Sequence, residues 1–179
     1  MPRLYVLSAA LNSYFRLLQV VLTVLMGLMI VPVTLQIVSR YTGLIPRYIW
    51  TEEAARFCFI WVIMLGAIIA VREGTHFEVD VLPAPRSPRG EAALRLVVAL
   101  LMLVFALVFV WYGWGYAAFG ATQTSELTGI NMLFIYATYL MAGLSWVAFL
   151  GERIVAAIAV FRGDHSALAT LRGDHHVAR

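Results

Sequence analysis

The chain alternates between long apolar stretches and short charged ones. Its four uncharged runs cover residues 17–39, 57–71, 96–125 and 127–151. A helix that crosses the hydrocarbon core of a membrane needs about 20 residues, so three of these runs are long enough as they stand. The second run has 15 residues, and it spans only if its helix begins among the charged residues that precede it. The pattern therefore predicts four transmembrane helices, at about 17–38, 52–72, 95–119 and 132–152.

The remaining segments complete an all-α prediction. Apolar residues recur at helical spacing over residues 2–15, which predicts a short interfacial helix before the first span. Residues 1–162 then form a single four-helix transmembrane domain. Residues 163–179 are polar and are expected to form a disordered tail.

Composition and charge support a membrane protein and exclude other classes. The chain is 62% hydrophobic, whereas a soluble domain is about 45–50% apolar and could not cover such an excess. The net charge is +3, but the basic residues lie at the edges of apolar runs and not in a stripe with stacking aromatics, so nucleic-acid binding is not expected. The single cysteine, Cys58, excludes an intramolecular disulfide.

The distribution of arginine predicts the orientation. With four spans, ten arginines lie on the side of the two termini and three lie on the opposite side. Because positively charged residues accumulate on the cytoplasmic side, both termini are predicted to be cytoplasmic. Segments 40–51 and 120–132 would then face outward. Trp50, Trp111 and Trp114 would lie at the outer interface, as amphipathic rings do.

Candidate chemistry is confined to the two ends of the second span. The middles of the other three spans contain no ionisable residue, although proton paths and haem sites usually require one. No catalytic residue, resident cofactor or metal site is therefore predicted, and the chain is not expected to be an enzyme.

The outer end of the second span contains Glu52, Glu53 and Arg56. Thr51 is suited to be the N-cap, and acids in the first turn stabilise the positive end of a helix. Glu52 and Arg56 also have the favourable i, i+4 order. Either this is a solvated, well-capped helix start, or the charges, together with Trp61, pack against a partner.

The inner end contains Arg72, His76 and Asp80, which fall at i, i+4 and i+8. If the helix continues, these residues share one face and can anchor it to membrane lipids at the headgroups. The alternative is an ordinary charged stop to the span. Gly66 in the same span is small enough to let another helix approach closely.

The stretch from Trp50 to Leu82 resembles a known family. WTEEAARF, then Trp61, then LGAIIAVREGTHFEVDVL is similar to the small membrane subunit, DctQ-like, of tripartite ATP-independent periplasmic (TRAP) transporters. The segment 122–143 is similar to a second, weaker pattern of that family, although Asn131 stands where the family often has proline. Size and span number extend the resemblance to nearly the whole chain.

The resemblance implies a non-catalytic scaffold in the bacterial inner membrane. A large membrane subunit would carry the substrate and sodium sites, and a periplasmic binding protein would deliver an organic acid anion. Glu52, Glu53, Arg56, Trp61 and Gly66 would then form the interface with the large subunit. Arg47 and Glu126 would help to dock the binding protein.

Two other functions would each require a feature that the sequence does not show. A stand-alone oligomeric channel or exporter predicts a polar stripe along one span, and the sequence contains none. A membrane redox subunit predicts histidine ligands inside the helix bundle, and these are also missing from the spans.

Overall fold

The computed structural model describes residues 2–43, 46, 48–74 and 87–163. It contains four helices: α1 (Pro2–Thr42), α2 (Trp50–Glu73), α3 (Pro88–Ala121) and α4 (Leu133–Phe161). All four are long and apolar enough to cross a membrane, and no strand is found within the described ranges. The predicted all-α, four-span architecture is confirmed. The orientation in the membrane stays a prediction.

Helix α1 runs without a break through the stretch for which the sequence predicts a separate interfacial helix. No proline or glycine lies between Pro2 and Gly27, so nothing ends the helix near residue 15. With 41 residues the helix is roughly 60 Å long, about twice the thickness of the hydrocarbon core. Its N-terminal turns therefore extend beyond the membrane.

One face of α1 packs along α2, and the other faces outward. The packed face repeats alternately every four and three residues, the spacing of a coiled-coil seam; its buried or half-buried positions include Leu11, Phe15, Leu18, Leu22, Leu25, Met29, Pro32, Gln36 and Ser39. Within its most apolar stretch, α1 has only 6% of its residues buried, compared with 39% for α4. Helix α1 thus leaves most of its apolar surface uncovered by this chain.

Helices α3 and α4 form the closest pair in the bundle. Small buried residues recur every seven positions along α3, at Ala92, Ala99, Ala106, Gly113 and Gly120. A Cβ added to Gly113 would lie 3.0 Å from the backbone of Leu140 in α4. Small side chains let two backbones approach in this way, which is a common basis of helix association in membranes.

Helix α4 lies at the centre of the fold. It packs against α3 and also against α2, and its residues Trp146, Phe149 and Leu150 are buried in the main apolar core. Helices α2 and α3 make little direct contact with each other. This arrangement buries most of the inner half of α2 and leaves one face of its outer half uncovered.

Candidate functional site

The outer end of α2 begins two residues earlier than the sequence predicts. The helix starts at Trp50, and the cap position is Ile49, whose side chain makes no capping hydrogen bond. The prediction that Thr51 is the N-cap is wrong. Thr51 lies inside the first turn, where its hydroxyl donates to the carbonyl oxygen of Tyr48 at 2.7 Å and thus ties the helix start to the preceding turn.

An exposed stripe runs down the outer half of α2, and it consists of Glu52, Arg56, Phe59 and Ile63. Its charged part is an ion pair in which Arg56 Nη2 donates to Glu52 Oε1 at 3.1 Å, with both side chains about two-thirds exposed. Phe59 and Ile63 continue the stripe toward the membrane centre. The stripe follows the same four-and-three spacing as the packed face of α1, so it has the pattern of a helix-packing seam.

Gly66 extends the stripe by one further step. A Cβ built on Gly66 meets no atom of this chain within 4 Å. The small size of this residue therefore serves no contact within the described part of the chain. The stripe and Gly66 together are called the α2 outer seam below.

Glu53 points the opposite way from its neighbour Glu52. It is only 8% exposed, and its Oε1 accepts a hydrogen bond from the hydroxyl of Ser125 in the loop between α3 and α4. Its second oxygen, Oε2, has no partner among the described residues. A buried carboxylate that receives a single donor fixes that donor firmly, because losing the bond would leave the charge unsatisfied.

The loop between α3 and α4 is held in one conformation by its own hydrogen bonds. Ser125 accepts from the backbone N–H of Leu127 and of Thr128, while its own N–H donates to the carbonyl oxygen of Ile130 at 2.8 Å. Asn131 accepts from the N–H of Leu133 at 2.8 Å and donates to the carbonyl oxygen of Ala121 at 2.9 Å. Asn131 thus closes the loop and helps to start α4, in the place where the family often has proline.

At the inner end of α2, Arg72 joins three helices. It is 2% exposed, and its Nη1 pairs with Oε2 of Glu152 in α4. Its Nη2 donates to the side-chain oxygen of Asn12 in α1 at 2.6 Å, and its guanidinium carbon lies 4.8 Å from the centre of the Phe149 ring. The charge is thus stabilised by hydrogen bonds, an ion pair and an aromatic face, while its buried Nε has no partner among the described residues.

This placement changes the role expected for Arg72. The sequence suggests a lipid anchor, but a guanidinium enclosed by α1, α2 and α4 cannot reach a phospholipid headgroup. The reason is the depth of α4, which continues past Glu152 to Phe161 and so carries an acid to the level of Arg72.

Arg153, next to Glu152, caps the C-terminus of α2. Its Nη2 donates to the carbonyl oxygen of Arg72 at 2.9 Å, and such contacts satisfy the last carbonyl groups of a helix. The helix ends at Gly74, which has a left-handed φ of 76°. A Cβ on Gly74 would lie 2.6 Å from Nη2 of Arg153, so glycine is needed here for both the turn and the cap.

The other residues that the sequence predicts to be functional lie at separate places in the bundle. Trp50, Trp111 and Trp114 are exposed near the outer ends of α2 and α3, and Glu126 is exposed in the outer loop. Trp61 is half-buried and packs against the core of the chain. Arg47, His76, Asp80 and the tail from residue 164 lie outside the described residues.

Sequence reasoning missed Asn12, Ser125, Glu152 and Arg153. A usable signal existed for Glu152, since an acid at the inner end of the fourth span is opposite in charge to Arg72 at the inner end of the second. No comparable signal marked Ser125, because its role depends on how the outer loop folds over α2.

The geometry is suited to holding helices together and presenting a face to a neighbour. Within the described ranges, no three His, Cys, Asp or Glu side chains lie close enough to hold a metal ion. At the inner end Arg72 and Glu152 pair inside the bundle, whereas the α2 outer seam is turned outward.

Comparison with known proteins agrees with the family resemblance seen in the sequence. The family model described as the DctQ component of tripartite ATP-independent periplasmic transporters matches residues 29–160. A Haemophilus influenzae protein named as a TRAP transporter small permease protein is 29% identical over 148 residues, which cover 82% of this chain and 91% of that protein.

Two longer proteins match over shorter regions. The isethionate TRAP transporter permease protein DctMQ of Oleidesulfovibrio alaskensis is 29% identical over 84 residues, which cover 44% of this chain and 13% of that protein. The sialic acid TRAP transporter permease protein SiaT of Haemophilus influenzae is 31% identical over 102 residues, covering 57% and 16% respectively.

Proposed function

The chain belongs to the DctQ-component family of TRAP transporters, and we propose that it is the non-catalytic small subunit that braces a large permease subunit in the bacterial inner membrane. It is a multi-pass membrane protein and a transport component. Its partner would carry the substrate and sodium sites. The imported solute would be an organic acid anion delivered by a periplasmic binding protein.

The two longer relatives support a large partner. In DctMQ and SiaT, the region similar to this chain is 13% and 16% of a much longer permease polypeptide. A separate small chain of the same kind is expected to work beside a separate large one.

The α2 outer seam is the observation that carries this proposal. Its outer part is an exposed ion pair, its middle is formed by Phe59 and Ile63, and it ends at Gly66, where the chain leaves open space. A neighbouring helix could pack along this spacing and approach most closely at the glycine. Helix α1, with its uncovered apolar face, would extend the same interface.

The outer loop would contribute to docking the binding protein. Glu126, Leu127 and Ile130 are exposed there, and the bond between Glu53 and Ser125 fixes the loop to α2. With both termini cytoplasmic, this loop faces the periplasm. Arg47 would lie on the same side in the segment that precedes α2.

Substitution of Gly66 by leucine tests the interface directly. A Cβ at this position meets no described atom within 4 Å, so the subunit should fold normally, while the added bulk should prevent a partner helix from approaching. We expect co-purification with the large subunit to fall by about tenfold or more, since overpacking an interface costs roughly 1–3 kcal/mol.

Gly115→Leu is the matched control, because a Cβ at Gly115 in α3 also meets nothing within 4 Å. It should leave the complex intact. Equal retention of the large subunit by both variants would exclude the α2 outer seam as the interface. Transport by this chain alone in liposomes would contradict the scaffold function itself and favour a stand-alone channel.

A further inference from the structure

A groove opens between α2, α3 and α4 in the inner half of the bundle. It has a volume of about 390 Å³ and is lined by Ala67, Val71, Leu101, Met102, Phe105, Trp146 and Leu150. Val71, Trp146 and Leu150 are buried and form its floor, whereas Leu101 and Phe105 on α3 are more than half exposed. The groove exists because α2 and α3 both pack on α4 and scarcely touch each other.

The lining is suited to a hydrocarbon and not to a polar solute. All seven side chains are apolar or aromatic, and the indole N–H of Trp146 already donates to the carbonyl oxygen of Ala67 at 3.3 Å. Specific binding of a polar ligand needs a few placed hydrogen-bonding groups, and this lining offers none. The exposed wall on α3 opens the groove to the surrounding membrane.

The inner end of the groove leads to a cationic cluster. Leu150 on the floor is one turn before Arg153 on α4, and Val71 adjoins Arg72 on α2. The charges that meet there are Arg72, paired with Glu152, and Arg95, paired with Glu91. Each of these two pairs is neutral. Arg153 lies beside them, while Glu73 at the end of α2 is exposed to solvent and forms no ion pair with it.

Arg153 has capacity for a further acceptor. It is half-buried, and its one hydrogen bond to the described residues is the bond to the carbonyl oxygen of Arg72. It forms no ion pair with any carboxylate in the described part of the chain. A guanidinium has five N–H donors in a geometry that matches phosphate oxygens.

We propose that this groove binds one anionic phospholipid, with an acyl chain along Trp146 and Leu150 and with its phosphate at Arg153. Basic pockets between transmembrane helices on the cytoplasmic side have the chemistry to hold phospholipid headgroups. Leu150 in the groove and Arg153 lie one turn apart on α4, a spacing that lets one lipid place its acyl chain in the groove and its phosphate at the guanidinium. The lipid would fill the space between α2 and α3 and complete the inner half of the bundle.

The size of the groove favours a flexible chain over a partner helix. Its α2 wall covers a single turn, from Ala67 to Val71, or about 6 Å. A helix with its side chains is about 10–12 Å across and would not enter a space of this volume. This site is therefore separate from the α2 outer seam.

The proposal is tested by lipid retention of the full-length chain, co-expressed with its large subunit and passed through nanodiscs that contain phosphatidylglycerol and phosphatidylethanolamine. After extraction into mild detergent, bound lipid is identified by mass spectrometry. Arg153→Gln removes a positive charge that favours an anionic headgroup over a zwitterionic one, and it should reduce the ratio of retained phosphatidylglycerol to phosphatidylethanolamine by about fivefold, the effect of roughly 1 kcal/mol per basic residue.

Two further variants separate the possible outcomes. Ala67→Leu narrows the groove and leaves every charge in place, so it should reduce retention of both lipids. Arg162→Gln removes the same charge from the exposed end of α4 and should retain lipid as the unaltered chain does. Equal lipid ratios for Arg153→Gln and Arg162→Gln, or unchanged retention by Ala67→Leu, would overturn the proposal. Loss of the large subunit from Ala67→Leu with lipid retention unchanged would show that a protein segment covers the groove.

Discussion

The two ends of α2 have the same kind of sequence but different structures. Each end places acidic and basic residues beside an apolar run. At the inner end, Arg72 is enclosed and joined to α1 and α4. At the outer end, the pair of Glu52 and Arg56 is exposed, and only Glu53 is turned inward. Charge at the inner end therefore stabilises this chain, and charge at the outer end is available to another molecule.

The largest effect should come from Arg72→Ala. This change leaves the carboxylate of Glu152 in a buried position without its partner, and such a change costs about 3–5 kcal/mol. It also removes the donor to Asn12, so α1 loses a polar contact with α2. We expect a large fall in the melting temperature of the purified protein and in its amount in the membrane.

A double variant, Arg72→Met with Glu152→Leu, is the control for this prediction. It removes both charges and keeps the volume nearly the same, so most of the lost stability should return. If Arg72→Ala were no more harmful than a surface substitution, the inner network would not be what holds α1, α2 and α4 together.

A smaller effect is expected at the buried acid of the outer end. Glu53→Ala leaves the hydroxyl of Ser125 without its acceptor, and an unsatisfied buried group costs about 1–3 kcal/mol. Hydrogen exchange should become faster across residues 122–131, because the loop loses its attachment to α2.

Glu126→Ala is the matched change in the same loop, since Glu126 is exposed. It should leave hydrogen exchange of the loop unaltered and impair uptake by whole cells less than Glu53→Ala does. Similar effects of the two substitutions would mean that the outer loop is positioned without the contribution of Glu53.

The next comparison uses two of the four described glycines with left-handed backbone, one at each end of the bundle. Gly74 has φ of 76° and lies against Arg153, whereas Gly129 has φ of 69° and open space around it. Alanine at either position pays about 1–2 kcal/mol of backbone strain. Gly74→Ala must in addition displace the guanidinium of Arg153 that caps the helix. The Gly74→Ala variant should therefore melt at a lower temperature than the Gly129→Ala variant, by an amount equivalent to about 1 kcal/mol. Equal melting temperatures would show that Arg153 contributes nothing as a cap.

The helices could be predicted from the sequence because their signal is local. Uncharged runs of membrane length are visible one stretch at a time, and all four appear as helices. Small residues at seven-residue spacing are equally visible in the sequence of α3, at Ala92, Ala99, Ala106, Gly113 and Gly120. A motif of two glycines four residues apart does not detect this spacing. The spacing of small residues over five turns or more is the better signal for the α3–α4 contact.

The roles of individual charged residues could not be predicted from the sequence, because they depend on which face of a helix each residue occupies and on what packs against that face. Glu52 and Glu53 are adjacent in the sequence, yet one is exposed and the other is buried, since neighbours on a helix point about 100° apart. Whether Arg72 reaches lipid or Glu152 depends on which face of α4 packs against α2, and the sequence of one span at a time does not give this. The sequence predicts Thr51 as the cap of α2, but the turn at Tyr48 starts the helix two residues earlier.

The smallest effect should come from Arg56→Ala on the exposed pair of the outer end. An exposed i, i+4 pair contributes about 0.3–0.5 kcal/mol, and salt screens it further. The melting temperature of the isolated subunit should therefore hardly change, and the small change should vanish at high ionic strength. If the α2 outer seam binds the large subunit, however, the same substitution removes a charge that becomes desolvated in the complex, and such charges cost far more to lose. Co-purification measured beside the melting temperature separates the two contributions: a variant that melts normally and also keeps its partner would show that the exposed pair serves neither the fold nor the assembly.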